Sequence, residues 1–78
     1  MITILSQHQL GPSMLAQELV DHSWLIVTRR AQDLLGDVTW YSRGEQWVFQ
    51  PEPSCIFTTQ RLHHLMDFLT LLNEKGAP

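Results

Sequence analysis

Only a few side chains in this sequence could act in catalysis or hold a metal ion. They are four histidines, one cysteine and two glutamates near the centre of the chain, namely His8, His22, His63, His64, Cys55, Glu45 and Glu52. Neighbouring helical residues such as His63 and His64 point about 100° apart and cannot easily share one metal. The spacing from Cys55 to His63 matches no known ligand pattern. We therefore predict no metal site and no cofactor.

Covalent catalysis has one candidate nucleophile. Cys55 could act if His63 lay beside it, but a single cysteine is more often buried and inert. Glu45 and Glu52 flank a predicted strand, a spacing that is weak support for acid–base catalysis. The four glycines are too scattered to form a phosphate-binding loop. We predict that the protein is not an enzyme.

Length and charge narrow the classes of function. The 78 residues predict a single domain, 1–78, and the net charge is −3. The basic residues are spread along the sequence, with only Arg29 and Arg30 adjacent. Since nucleic-acid binding usually requires a basic face, direct binding of nucleic acid is disfavoured. Charged residues make up only 17%, which leaves apolar surface for a partner or a homodimer.

The sequence predicts a cytoplasmic protein that does not enter a membrane. A single cysteine cannot form an intramolecular disulfide, which is typical of a reducing compartment. The first residues, MITILSQHQLG, lack the basic and apolar regions of a signal peptide. No run approaches the ~18 apolar residues of a membrane span.

Hydrophobic periodicity predicts an α+β fold. MITIL and SWLIV are typical of strands, LGPSMLAQELVDH of a short helix beginning at Pro12, and the segment after Thr58 or Thr59 of a longer helix. Lys75 and Gly76 are typical of a helix end. The predicted order is β-α-β-β-β-α, with a small antiparallel sheet of three to four strands packed on helices.

An aromatic hairpin, VTWYSRGEQWVF, occupies the centre of the chain. A loop around Arg43 and Gly44 places Trp40 opposite Trp47, and it places Val38 opposite Phe49 on the same face of the sheet. A loop of odd length would destroy this match. We therefore predict that this face of the hairpin packs on the last helix.

The hairpin also supplies the predicted interaction site. Tyrosine, tryptophan and arginine often carry protein interfaces, and acidic residues steer a protein towards a basic partner. The predicted partner-binding residues are Tyr41, Arg43, Glu45, Trp47 and Glu52, with Asp37 adding to the steering charge. An alternative is single-stranded nucleic acid, whose bases would stack on Tyr41 and Trp47.

The carboxyl-terminal half resembles a group of short phage- and prophage-encoded proteins. The shared pattern falls on Trp40, Tyr41, Trp47, Phe49, Pro51, Pro53, Phe57, Leu62, Asp67, Phe68 and Leu69. The pattern covers about half of the chain, and the first 35 residues match nothing. The group has no assigned function. The resemblance implies a module that binds a host protein, in the manner of an inhibitor of bacterial defence such as an anti-CRISPR protein. A nucleic-acid-binding complex of the host is one such partner.

Overall fold

A computed structural model describes residues 3–78 and shows one antiparallel sheet with one helix on one of its faces. The elements are β1 (Ile4–Leu10), β2 (Met14–Leu19), β3 (Trp24–Thr28), β4 (Leu34–Tyr41), β5 (Gln46–Pro51) and α1 (Thr59–Lys75). Strands adjacent in the chain are adjacent in the sheet, in the order β1-β2-β3-β4-β5. The predicted order β-α-β-β-β-α is wrong, because the second element is a strand and the sheet has five strands.

The predicted first helix is replaced by β2. Its residues MLAQEL are mostly strong helix formers, so local propensity favours a helix. The predicted helix, from Pro12 to His22, makes only about three turns, however, and so short a helix is marginal alone. As a strand the segment bonds to β1 on one side and β3 on the other. Gly11, in the left-handed region at φ 65°, starts the turn into it.

The predicted register of the aromatic hairpin is confirmed. Trp40 pairs with Trp47 and Val38 pairs with Phe49 across β4 and β5. The loop spans 42–45, and the Glu45 N–H donates to the Ser42 carbonyl at 3.3 Å. The two indoles meet edge to face with ring centroids 5.8 Å apart.

The predicted ends of the last helix are also confirmed. Thr58 is the N-cap and its side chain accepts a hydrogen bond from the Arg61 N–H, while Gly76 follows the last turn. Helical spacing predicts an apolar stripe on this helix that is too wide, made of Leu62, Leu65, Met66, Leu69 and Leu72 with Phe68 and Leu71 beside them. Leu65, Phe68 and Leu72 are buried, whereas Leu62 and Met66 are more than half exposed.

The core lies between α1 and one face of the sheet, here called the covered face. Phe68 packs edge to face on Trp24 with centroids 5.1 Å apart, and the His8 ring lies 5.5 Å away. The Trp47 indole N–H donates to the Gly76 carbonyl at 2.9 Å. These contacts join the helix to β1, β3 and β5, so one helix spans most of the sheet.

Two further expectations concern the strands. The unbroken apolar run from Trp24 to Val27 predicts a strand covered on both faces. This prediction is wrong for β3, because the one helix in residues 3–78 lies on a single face. Of the predicted MITIL strand, Met1 and Ile2 lie outside the described residues, and β1 begins at Ile4.

No helix in residues 3–78 is long and apolar enough to cross a membrane.

Candidate functional site

The sheet face opposite α1, here called the open face, is the first candidate surface. Strand partners share a face, so the register assigns its side chains. They are Ile4, Gln7, Gln9, Leu15, Gln17, Leu19, Leu25, Val27, Leu34, Asp37, Thr39, Tyr41, Gln46, Val48 and Gln50. Aliphatic side chains are concentrated on β2 and β3, and amides and hydroxyls surround them.

The aliphatic centre of the open face is only partly shielded from solvent. Leu15 and Leu25 are half-buried and Val27 is buried, although no helix in residues 3–78 covers them. Leu34, at the start of β4, is 42% exposed. Apolar area that stays in water forgoes about 25 cal/mol per Å², so a protein that covered this centre would gain that energy.

Gln17 is the unusual residue of the open face. Its side chain is only 4% exposed, and its Nε2 group has no hydrogen-bond partner. It lies at the centre of β2, paired with Gln7 on β1 and Leu25 on β3. An unsatisfied buried amide costs about 1–3 kcal/mol. The Nε2 atom is itself buried, so an acceptor on a bound protein could reach it only after a rearrangement of the open face.

Charge is almost absent from the open face. Asp37, half-buried on β4 and paired with Leu25 and Gln50, is its single ionisable carboxylate. A lone carboxylate among aliphatic and amide groups favours a partner with one cation opposite it. The open face therefore combines an apolar centre with one negative charge.

The β4–β5 hairpin forms the rim of the open face. Tyr41 is 46% exposed, and Arg43 and Glu45 are exposed in the loop. A side chain on Gly44 would come within 2.9 Å of the Tyr41 ring, so the ring lies directly on the loop backbone. Glu45 adopts φ 51°. The loop thus presents a supported aromatic ring beside one cation and one anion.

The structure separates the five predicted partner-binding residues. Tyr41, Arg43 and Glu45 lie together at the hairpin tip, whereas Glu52 lies beyond the other end of β5, where its N–H donates to Leu35. Trp47 is 6% exposed on the covered face, with its indole N–H bonded to Gly76. Its ring cannot stack on a base unless the core opens, which weakens the nucleic-acid alternative.

The residues considered for catalysis do not form an activated nucleophile. The Cys55 thiol donates to the Leu34 carbonyl at 3.4 Å. A hydroxyl, a carboxylate and an imidazole do meet, because Ser6 donates to Glu18 at 2.9 Å and His22 lies 3.8 Å from the same carboxylate. In this arrangement the Glu18 carboxylate lies between the Ser6 hydroxyl and the His22 imidazole. Activation of the hydroxyl as a nucleophile would require the imidazole to contact it directly. Across 3–78 no three His, Cys, Asp or Glu residues are placed to hold a metal.

That carboxylate lines a cavity of about 350 Å³ between the sheet and the end of α1. Its walls include Glu18, Trp24, Trp47 and Lys75. Close by, hydrogen bonds from the Ser23 hydroxyl and N–H lower the pKa of the Asp21 carboxyl below its ordinary value of 3.8. Both features occupy the end of the molecule that carries the β2–β3 turn.

The opposite end carries a basic cluster that sequence reasoning missed. Arg29 and Arg30 follow β3, and Arg61 lies in the first turn of α1, 31 positions after Arg30. All three line one cavity of about 200 Å³ with Pro12, Ser13 and Thr28. The basic residues are spread along the sequence, but in the fold three of the five line one cavity.

Comparison with known proteins identifies no relative for this chain. No protein-family model, no curated protein and no solved structure matches it. Functional inference therefore rests on the surfaces described above.

Proposed function

We propose that this protein is a non-catalytic protein-binding module, and that it binds through the open face with the Tyr41 hairpin at its rim. The supporting observation is the aliphatic centre of the open face, where Leu15 and Leu25 are half-buried and Leu34 is 42% exposed, although no helix in residues 3–78 covers them. Contiguous apolar surface that stays in water is typical of protein interaction sites.

The partner's chemistry follows from the composition of the open face. Around Leu15 and Leu25 the partner needs an aliphatic patch, and opposite Asp37 it needs a lysine or arginine. Further carboxylates, Glu45 in the loop and Glu52 after β5, lie along the same hairpin and add to the attraction for a basic surface. The nucleic-acid-binding surface of a host complex fits this description, in keeping with the phage-like sequence pattern.

The size of the open face supports a contact that also includes the rim. Five strands about 4.8 Å apart and roughly 17–20 Å long present roughly 400 Å². A stable interface buries about 800 Å² on each partner. The contact therefore extends beyond the sheet face onto exposed neighbours, and Tyr41 and Arg43 are the nearest large side chains at that rim. In this proposal the protein acts by occluding its partner's surface.

The test is capture of binding proteins from lysate by four immobilised chains, followed by quantitative mass spectrometry. Leu34→Asp and Tyr41→Ala alter the open face and its rim. Met66→Asp is the control, because Met66 is 55% exposed on the helix side. Thermal unfolding first verifies that all four chains are folded.

We expect at least one protein to be retained by wild type and by Met66→Asp but lost from both open-face variants. The proposal fails if every captured protein is retained equally by all four chains, or if only Met66→Asp loses binding. An arginine-rich or lysine-rich contact surface on the captured protein would further support the charge argument for Asp37.

A further inference from the structure

The basic cluster lies at the end of the molecule where two turns and the start of α1 meet. The β1–β2 turn contributes Ser13, and the segment after β3 contributes Arg29 and Arg30. Arg61 reaches this point from the helix, and its Nε donates to the Ser13 Oγ at 3.3 Å. Three elements far apart in sequence thus place three guanidinium groups around one cavity of about 200 Å³.

The three positive charges are not neutralised within the described part of the chain. The one ion pair within residues 3–78 joins His22 to Glu18, at the other end of the sheet. Asp33 lies in the neighbouring turn, but it forms no ion pair with an arginine, and its N–H is bonded to the Thr28 hydroxyl. No carboxylate lines the cavity.

The helix start increases the positive potential. A helix amino terminus carries about half a positive charge, and proteins usually place acidic residues there. The first turn of α1 has no acidic residue and instead contains Arg61. An arginine in this position is electrostatically unfavourable, and a bound anion would reverse the sign of the interaction.

The backbone around the cavity is held in place. The Arg29 N–H donates to the Ser13 carbonyl at 2.9 Å, and the Thr28 N–H donates to the Asp33 carbonyl at 2.9 Å. The Ser13 and Thr28 hydroxyls accept hydrogen bonds from Arg61 and from the Asp33 N–H, so each O–H is free to donate to a ligand. Guanidinium groups and hydroxyl donors on a backbone that is held in place can bind a tetrahedral oxyanion through several hydrogen bonds.

We propose that Arg29, Arg30 and Arg61, with the Ser13 and Thr28 hydroxyls, bind the phosphate group of a small phosphomonoester. A compact ligand fits better than a polyanion, because the opposite end of the molecule carries Glu18, Asp21, Glu45 and Glu74. The exposed aromatic ring of Tyr41 lies at that acidic end, about one strand length away, where it cannot stack a base of a nucleotide held at the arginines.

The experiment titrates the full chain with inorganic phosphate and with a 5′-mononucleotide, at constant ionic strength set by chloride. Backbone amide NMR shifts report the location of binding. Expected shifts are confined to Ser13, to 28–30 and to 58–61. We expect Arg61→Ala and the double variant Arg29→Ala/Arg30→Ala each to weaken phosphate binding by at least about tenfold, as loss of a charge-assisted hydrogen bond implies.

The matched control is Arg43→Ala, which removes one positive charge at the far hairpin tip and should leave the phosphate affinity unchanged. Arg61→Lys keeps the charge but loses the planar fork, so we expect an intermediate affinity. Thermal unfolding in chloride alone identifies a variant that has lost its fold, and Arg61→Lys then carries the test.

Three outcomes overturn the proposal. The first is equal loss of affinity in Arg43→Ala and Arg61→Ala, which indicates a general charge effect. The second is the absence of any shift with phosphate or mononucleotide. The third is salt-sensitive binding of a single-stranded oligonucleotide without binding of either small phosphate, which assigns the cluster to nucleic acid.

Discussion

The two faces of the sheet are built by the same strands but differ sharply in composition. In the β4–β5 hairpin, Val38 and Trp40 enter the covered face, whereas Asp37 and Thr39 between them enter the open face. Rings packed edge to face fill the covered face. The open face has aliphatic side chains mixed with amides and one unpartnered buried donor. The aromatic packing thus lies on the covered face, whereas no helix in residues 3–78 packs on the open face.

The largest expected effect is on the covered face. Phe68→Ala should lower the free energy of unfolding by about 3–5 kcal/mol, because Phe68 is 3% exposed and packs on Trp24. That is a large part of the stability of a small domain. Urea denaturation measures this change in the free energy of unfolding. Met66→Ala, two positions earlier but 55% exposed, should change stability by less than about 0.5 kcal/mol. Equal effects would mean that the helix packs on the sheet through a different side.

A second prediction concerns the edges of the sheet. The Asn73 side chain accepts a hydrogen bond from the Trp47 N–H at 2.7 Å, so α1 satisfies a backbone donor of the last strand. Asn73→Ala leaves this partly buried N–H unpaired and should destabilise the fold by about 1–3 kcal/mol. Asn73→Asp keeps an acceptor and should lose much less in the same urea titration. Similar losses in both variants would show that the bond is unimportant.

The open face gives a prediction of opposite sign. Gln17→Leu removes the unpartnered amide and should raise the free energy of unfolding by about 1 kcal/mol. Gln7→Leu, its exposed neighbour on β1, is the control and should leave stability nearly unchanged. A destabilised Gln17→Leu would mean that the amide is satisfied in the free protein.

The smallest expected effect belongs to the β2–β3 turn, which is part of neither face. Because the folded protein lowers the pKa of Asp21, its contribution to stability is present above the ordinary value of 3.8 and disappears as pH falls through the folded value. Asp21→Asn should therefore reduce stability at neutral pH, and the difference from wild type should shrink below pH 3.8. Urea denaturation across this range tests the sign. A stability difference between Asp21→Asn and wild type that is independent of pH would contradict a lowered pKa for Asp21.

The sequence predicts the covered face well because several signals agree there. Alternating apolar residues on both sides of an even-length loop permit only one register for Trp40 and Trp47. Thr58 and Gly76 are typical cap residues at the ends of a long apolar repeat. Both signals are local, so no knowledge of distant contacts is needed to use them.

The open face and the basic cluster could not be predicted in the same way. The residue types of β2 favour a helix, but pairing with β1 and β3 overrides this local propensity. With β2 predicted as a helix, the open face could not be assigned, because Gln17 and Leu15 were placed outside the sheet. Arg61 joins Arg29 and Arg30 only after the order of the strands sets the position of the helix.

The position of α1 after all five strands has a consequence for synthesis. A ribosome completes the strands before it makes 59–75, so the nascent sheet lacks the helix that shields Trp24, Trp40 and Trp47. Exposed aromatic surface of this kind promotes aggregation and recruits chaperones. Premature termination before Thr59 should therefore yield an insoluble product, although every strand of the sheet is present.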